Sequence, residues 1–135
     1  MSRRDILIFK NLETLTLSRD TRINKLEKAI KKSKRGGDYE EALRLAVELR
    51  RSRKALIEVM TDLKDTEVGG DIKEPVETLV EFNDLVAVPR ERDLIKQLIN
   101  AIETNGSSRE VKKLRKDIEE LDKLGALIKE VLRKF

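Results

Sequence analysis

Apolar residues along this 135-residue chain recur at alternating spacings of three and four, the mark of a helix that buries one stripe of its surface. The signal is strongest from about residue 39 to 65. There Ala42, Ala46, Leu49, Arg53, Leu56, Met60 and Leu63 form a heptad seam, which Leu43, Val47 and Ile57 widen. Val111, Leu114, Ile118, Leu121, Gly125, Ile128, Leu132 and Phe135 repeat the design at the end of the chain. Before Gly36 the pattern is looser. Ile23, Leu26 and Ile30 keep helical spacing, and Leu12 and Leu15 join the same face if one hendecad-type insertion is allowed. Leu12 to Leu17 also reads as a strand by its β-branched content, but a single strand has no partner, so a helix is expected.

Turn and cap residues divide these stripes. Gly36-Gly37 stops the first helix, and Asp38-Tyr39-Glu40-Glu41 predicts a capping box in which Asp38 accepts from the amide three residues on while Glu41 reaches back. Ser107-Ser108-Arg109-Glu110 predicts a second one. Residues 67–74, with Gly69-Gly70, read as a loop, and Pro75 suits the first position of a new helix. Leu79, Phe82 and Val86 share a face until Pro89, which forfeits a helical hydrogen bond. Arg90 to Thr104 then carries Leu94, Ile95, Leu98 and Ile102 on one side and ends at Asn105-Gly106. The expected fold is all-α, a single-domain antiparallel four-helix bundle. It comprises a long N-terminal hairpin (1–66), a loop (67–74), a third arm broken at Pro89 (75–104) and a C-terminal helix (108–135).

Composition narrows the chemistry. The chain has no Cys and no His, which excludes disulfides, thiolate or imidazole zinc sites, cysteine nucleophiles and histidine acid–base schemes. The carboxylates at Glu40-Glu41 and Glu119-Glu120-Asp122 lack the histidine partners of a bundle di-metal site. Neither Gly pair is followed by the Lys-Ser/Thr of a phosphate loop. Neither an enzyme nor a cofactor, a metal or a small-molecule substrate is expected. The apolar run Ile6 to Phe9 is too short for a secretory signal, and no run approaches a membrane span, so a cytoplasmic protein without membrane attachment is expected. Asn105-Gly106-Ser107 reads as a turn rather than a glycosylation site. Abundant Lys, Arg, Glu and aliphatics with a single Gln, Gln97, suggest a hot habitat.

Charge is unevenly placed. Residues 1–54 hold 16 Lys and Arg against 8 acids, a net of +8; residues 55–90 net −6, and residues 91–135 net +2. If the first two helices fold back about Gly36-Gly37, Arg19, Arg22 and Lys25 lie beside Lys54, Arg51 and Glu48. The candidate docking set is Arg19, Arg22, Lys25, Lys31, Lys32, Lys34, Arg35, Arg50, Arg51, Arg53 and Lys54. Lys31, Lys32, Lys34 and Arg35 also complement the dipole at their helix end. Arg53 sits in the seam, where its guanidinium must snorkel outward, the favoured reading, or find a buried carboxylate; Gly125, in the last seam, is expected to admit a close neighbour rather than to form a hinge. No helix-turn-helix spacing stands out, and Tyr39 alone makes no stacking platform, so any nucleic-acid contact should be electrostatic and sequence-tolerant.

In architecture and composition, not in any motif, the chain resembles the small helical-bundle proteins of viruses of thermophilic archaea. The resemblance implies either a virion building block or a small protein that obstructs host nucleic-acid machinery, and it assigns no residue a role. The expected function is a non-enzymatic regulatory binding protein. Its basic helical face would dock on nucleic acid or on the nucleic-acid channel of a transcription or replication machine, with the acidic segment 58–84 imitating phosphate. The competing expectation is a structural subunit that self-assembles through its seams, such as a virion component.

Overall fold

The structure, a computed structural model, describes residues 2–103 and 108–135, and it is an all-α bundle. Helix α1 spans Arg3–Gly36, α2 Glu40–Asp65, α3 Gly70–Phe82, α4 Val88–Glu103 and α5 Ser108–Leu132; a π-helical turn, Asn83–Ala87, joins α3 to α4 without interruption. Ser2 caps α1, its Oγ accepting from the Asp5 amide at 3.1 Å. At the other end Gly37 takes the left-handed conformation (φ 78°), which costs glycine nothing, and its N–H closes the helix on the Ser33 carbonyl at 2.7 Å. Three residues then turn the chain into α2.

The heptad seam of α2 is the core of the molecule. Ala42, Ala46, Leu49, Arg53, Leu56, Met60 and Leu63 are all buried, joined by Leu45; Leu43 and Ile57 are half-buried and Val47 is exposed. Helix α1 contributes Leu12, Ile23, Leu26 and Ile30, and α4 contributes Leu94, Ile95, Leu98 and Ile102. Each such side chain contributes roughly 1.5–3 kcal/mol by leaving water. Side-chain pairs fix the relative senses of the arms. Arg92–Asp122 and Arg115–Glu103 run in opposite senses along α4 and α5, whereas Arg50–Asp117 and Lys64–Glu130 show α2 and α5 running the same way. Thr16–Asn83 and Glu27–Arg90 align α1 with the third arm likewise. Helices α1 and α5 each pack on α2 and on the third arm, so α2 lies between them.

Several sequence expectations are corrected. The loop 67–74 shrinks to residues 66–69, because burying Ile72 in line with Val76 and Val80 draws the helix start back to Gly70. Pro75 therefore stands inside α3. It is exposed and gives no N–H to the helix. The third arm is not broken at Pro89. The departure from α-helix comes earlier, in the π turn, where the Val88 N–H reaches back to the Asn83 carbonyl and the chain stays right-handed. That extra residue changes which face is inside: Asn83 and Ala87 are buried and Val86 is exposed, while Leu79 and Phe82 are only half-buried. Asp38 accepts from the Glu40 amide two residues on, at 3.0 Å, and Glu41 turns to Arg44, so no capping box forms. A Cβ on Gly125 would meet no atom within 4 Å, so no close helix approach explains that glycine. The second capping box and the Asn105-Gly106 turn fall largely on residues 104–107, outside the described ones.

The end of α2 is closed from the far end of the chain. The Lys134 ammonium donates to the carbonyls of Leu63 and Lys64 in the last turn of α2 and of its cap residue Thr66, groups at a helix end that the helix itself does not bond.

Candidate polyanion interface and the charge layer beneath it

The basic run Arg50-Arg51-Ser52-Arg53-Lys54 winds a little more than once around α2, so its members point in different directions. Arg53, in the seam, does not snorkel. Its side chain is 0% exposed and meets carboxylates from two other arms: Nη2 donates to Glu91 Oε2 at 2.7 Å, and Nη1 to Asp117 Oδ1 and Glu120 Oε1, each at 2.9 Å. Arg50 makes a two-pronged contact with Asp117, Nε and Nη2 each 2.7 Å from a carboxylate oxygen. Arg19, also 0% exposed, enters from α1. Its Nη2 pairs with Glu91 Oε1, and its Nη1 donates to Ser52 Oγ at 2.9 Å and to the Leu49 carbonyl at 3.4 Å. A layer of charge thus crosses the core and ties α1, α2, α4 and α5 together through Glu91 and Asp117.

Burial works against the charged form of both buried arginines, with different outcomes. For Arg53, burial lowers the proton affinity, but three facing carboxylates more than restore it, and the net shift is upward. For Arg19, burial prevails over the single carboxylate Glu91, aided by repulsion from Arg53 and Arg22, and the net shift is downward. Arg50 is shifted up by its Asp117 hydrogen bonds. All three guanidiniums remain charged at neutral pH. Removing Glu91 would leave two fully buried arginines short of a carboxylate.

Arg19, Arg50 and Arg53 therefore leave the docking set. They are committed to carboxylates inside or beneath the surface, where two of them have no solvent exposure. Arg51 and Lys54 remain exposed on α2, Lys25 is exposed and Arg22 half-buried on α1, and none of the four has a carboxylate partner among the described residues; Arg22 donates to Ser18 Oγ. Lys31, Lys32, Lys34 and Arg35 are exposed at the Gly37 end of α1, and Lys31 is loosely paired with Glu27 at 4.0 Å. Lys54 does not lie beside Arg19 as the hairpin register suggested. It follows Arg50 by one turn and so shares the flank of α2 that faces α5.

That flank reveals cations missed in the sequence. Lys113 lines the groove between α2 and α5 with Leu43, Val47 and Arg50, and the acids Glu40 and Glu110 share that groove. Lys116 stands one turn before Glu120, the residue that reaches Arg53, so it belongs to the same side of α5. Both are exposed and without a carboxylate partner among the described residues. The cationic surface is therefore built by three adjacent helices: Arg22 and Lys25 on α1, Arg51 and Lys54 on α2, Lys113 and Lys116 on α5. Among the described residues no group of three acids is disposed to hold a metal ion, and no helix is long and apolar enough to cross a membrane.

No family model matches the chain, and no curated protein or solved structure resembles it.

Proposed function

We propose that the chain is a non-enzymatic docking protein that engages a polyanion through the face formed by α1, α2 and α5, and that it acts by occupying the site of a partner in nucleic-acid machinery. The observation that carries this reading is the six cations without a carboxylate partner among the described residues, spread over α1, α2 and α5. Nothing in the fold requires them to be positive, since the interior charges are already balanced by Glu91, Asp117 and Glu120. Retention on immobilised inorganic polyphosphate tests it. The intact chain should bind at about 50 mM salt and elute steeply as salt rises, since each neutralised phosphate releases counterions. Passage without retention at about 50 mM would contradict it.

A second reading, a self-assembling subunit, is favoured by exposed leucines at Leu7, Leu17 and Leu85, of which Leu85 is 72% exposed. Light scattering at high concentration separates the two: a strict monomer speaks against assembly.

A further inference from the structure

We infer that the polyanion is double-stranded nucleic acid, with α2 entering the major groove as a ridge and the cations of α1 and α5 resting on the phosphates of the two groove walls; this rests on the docking reading above. Helix α2 lies between α1 and α5. With neighbouring axes about 8–10 Å apart, the diagonal pair α1 and α5 stands roughly 11–14 Å apart. The major groove is about 12 Å wide and admits one α-helix. The flanking cations match that geometry. Arg22 is one turn beyond Arg19, which bonds to α2, so Arg22 and Lys25 edge the α1 side of the ridge. Lys113 and Lys116 edge the α5 side.

The ridge itself explains why the contact is bounded and sequence-tolerant. Arg51 and Lys54 occupy its outer surface, with Val47, 39% exposed, one turn earlier. Arg44 is neutralised by Glu41 and Glu48. Farther along, Glu58 and Asp62 are exposed and would repel phosphate, which limits the footprint to the first two-thirds of α2. The outer positions 44, 47, 51, 54 and 58 hold no Asn or Gln, the side chains that pair two-pronged with adenine edges. A flexible single strand has no paired walls for the two flanks to straddle.

Fluorescence anisotropy on the full chain tests the inference. The probes are a 20-base-pair DNA duplex, either of its strands alone, polyphosphate and poly-glutamate. The variants are Arg22→Gln/Lys25→Gln, Arg51→Gln/Lys54→Gln and Lys113→Gln/Lys116→Gln, each checked by thermal melting. The duplex should bind at least about tenfold more tightly than the single strand. Its affinity should fall about 10³-fold between 50 and 200 mM salt, as neutralisation of about six phosphate charges by the four flanking cations and the two on the ridge requires. Each double variant should flatten the log–log salt slope by about 2 while melting as the parent does. Equal binding of strand and duplex, tighter binding of poly-glutamate, or a loss confined to one flank would overturn the duplex assignment while polyphosphate binding upheld the docking reading. Failure to bind any probe would overturn both.

Discussion

Two halves of one five-residue run behave as different chemical objects. Arg53 and Arg50 are held by carboxylates from α4 and α5, while Arg51 and Lys54, their immediate neighbours, face water without a partner. The residue types are nearly the same, and what separates them is 100° of helix rotation per step. Inside, a cation is a fixed part with three acceptors; outside, it is a mobile charge available to a partner. A stretch rich in Lys and Arg is thus not one site, and counting its charges overstates what it can bind.

The largest test of this contrast is Glu91→Ala, which leaves Arg19 and Arg53 facing each other in a buried layer. It should cost about 3–5 kcal/mol in urea unfolding, a large share of a domain's usual stability. A cost below about 1 kcal/mol would mean that water already reaches the layer. Replacing the central triad together, as Arg19→Leu, Glu91→Leu and Arg53→Met, leaves Asp117 paired with Arg50 and Glu120 partly in solvent, and should be neutral or stabilising by about 1–4 kcal/mol, because desolvation offsets much of what buried pairs gain. A strongly destabilised triple variant would show that the charges contribute net energy and not only register. Gly125→Ala should stabilise by about 1 kcal/mol, since the space is empty and alanine favours the helix. Arg51→Gln and Lys54→Gln should change stability by less than about 0.5 kcal/mol.

The smallest effect is a pH trend at the exposed Arg44 pair. Hydrogen bonds from Arg44 hold the Glu41 carboxyl below its ordinary value. Its contribution is therefore present above the ordinary carboxylate range and is lost as pH falls through the lowered folded value. Titrating Glu41→Gln beside the parent should remove only that slight acid-side slope.

Much of the fold was legible because seams are local. Spacings of three and four placed α2 almost to the residue, and Leu94, Ile95, Leu98 and Ile102 all entered the core. The π turn was not legible. Its first residue, Asn83, is buried and donates to Thr16, 67 positions away in sequence, a contact that local spacing does not show. The charge layer was half-visible. Arg53 stands four after Leu49 and three before Leu56, and Asp117 stands three after Leu114 and four before Leu121, so both occupy seam positions. Taking these charges together, as cation and acid in facing seams, would have exposed the pairing; taking Arg53 alone suggested snorkelling. Lys113 and Lys116 escaped notice because only the packing of α5 on α2 brings them to the basic face.

Side-chain nitrogen NMR of the intact protein, before and after adding duplex DNA, examines both populations of cation at once. The Nε–H groups of Arg19 and Arg53 are buried and bond to nothing among the described residues, so they should exchange slowly with water and keep their positions on titration. The signals of Arg22 and Arg51 should exchange fast in the free protein and shift as duplex is added. Rapid exchange at Arg19 and Arg53, with their signals moving while Arg51 stays still, would contradict the account.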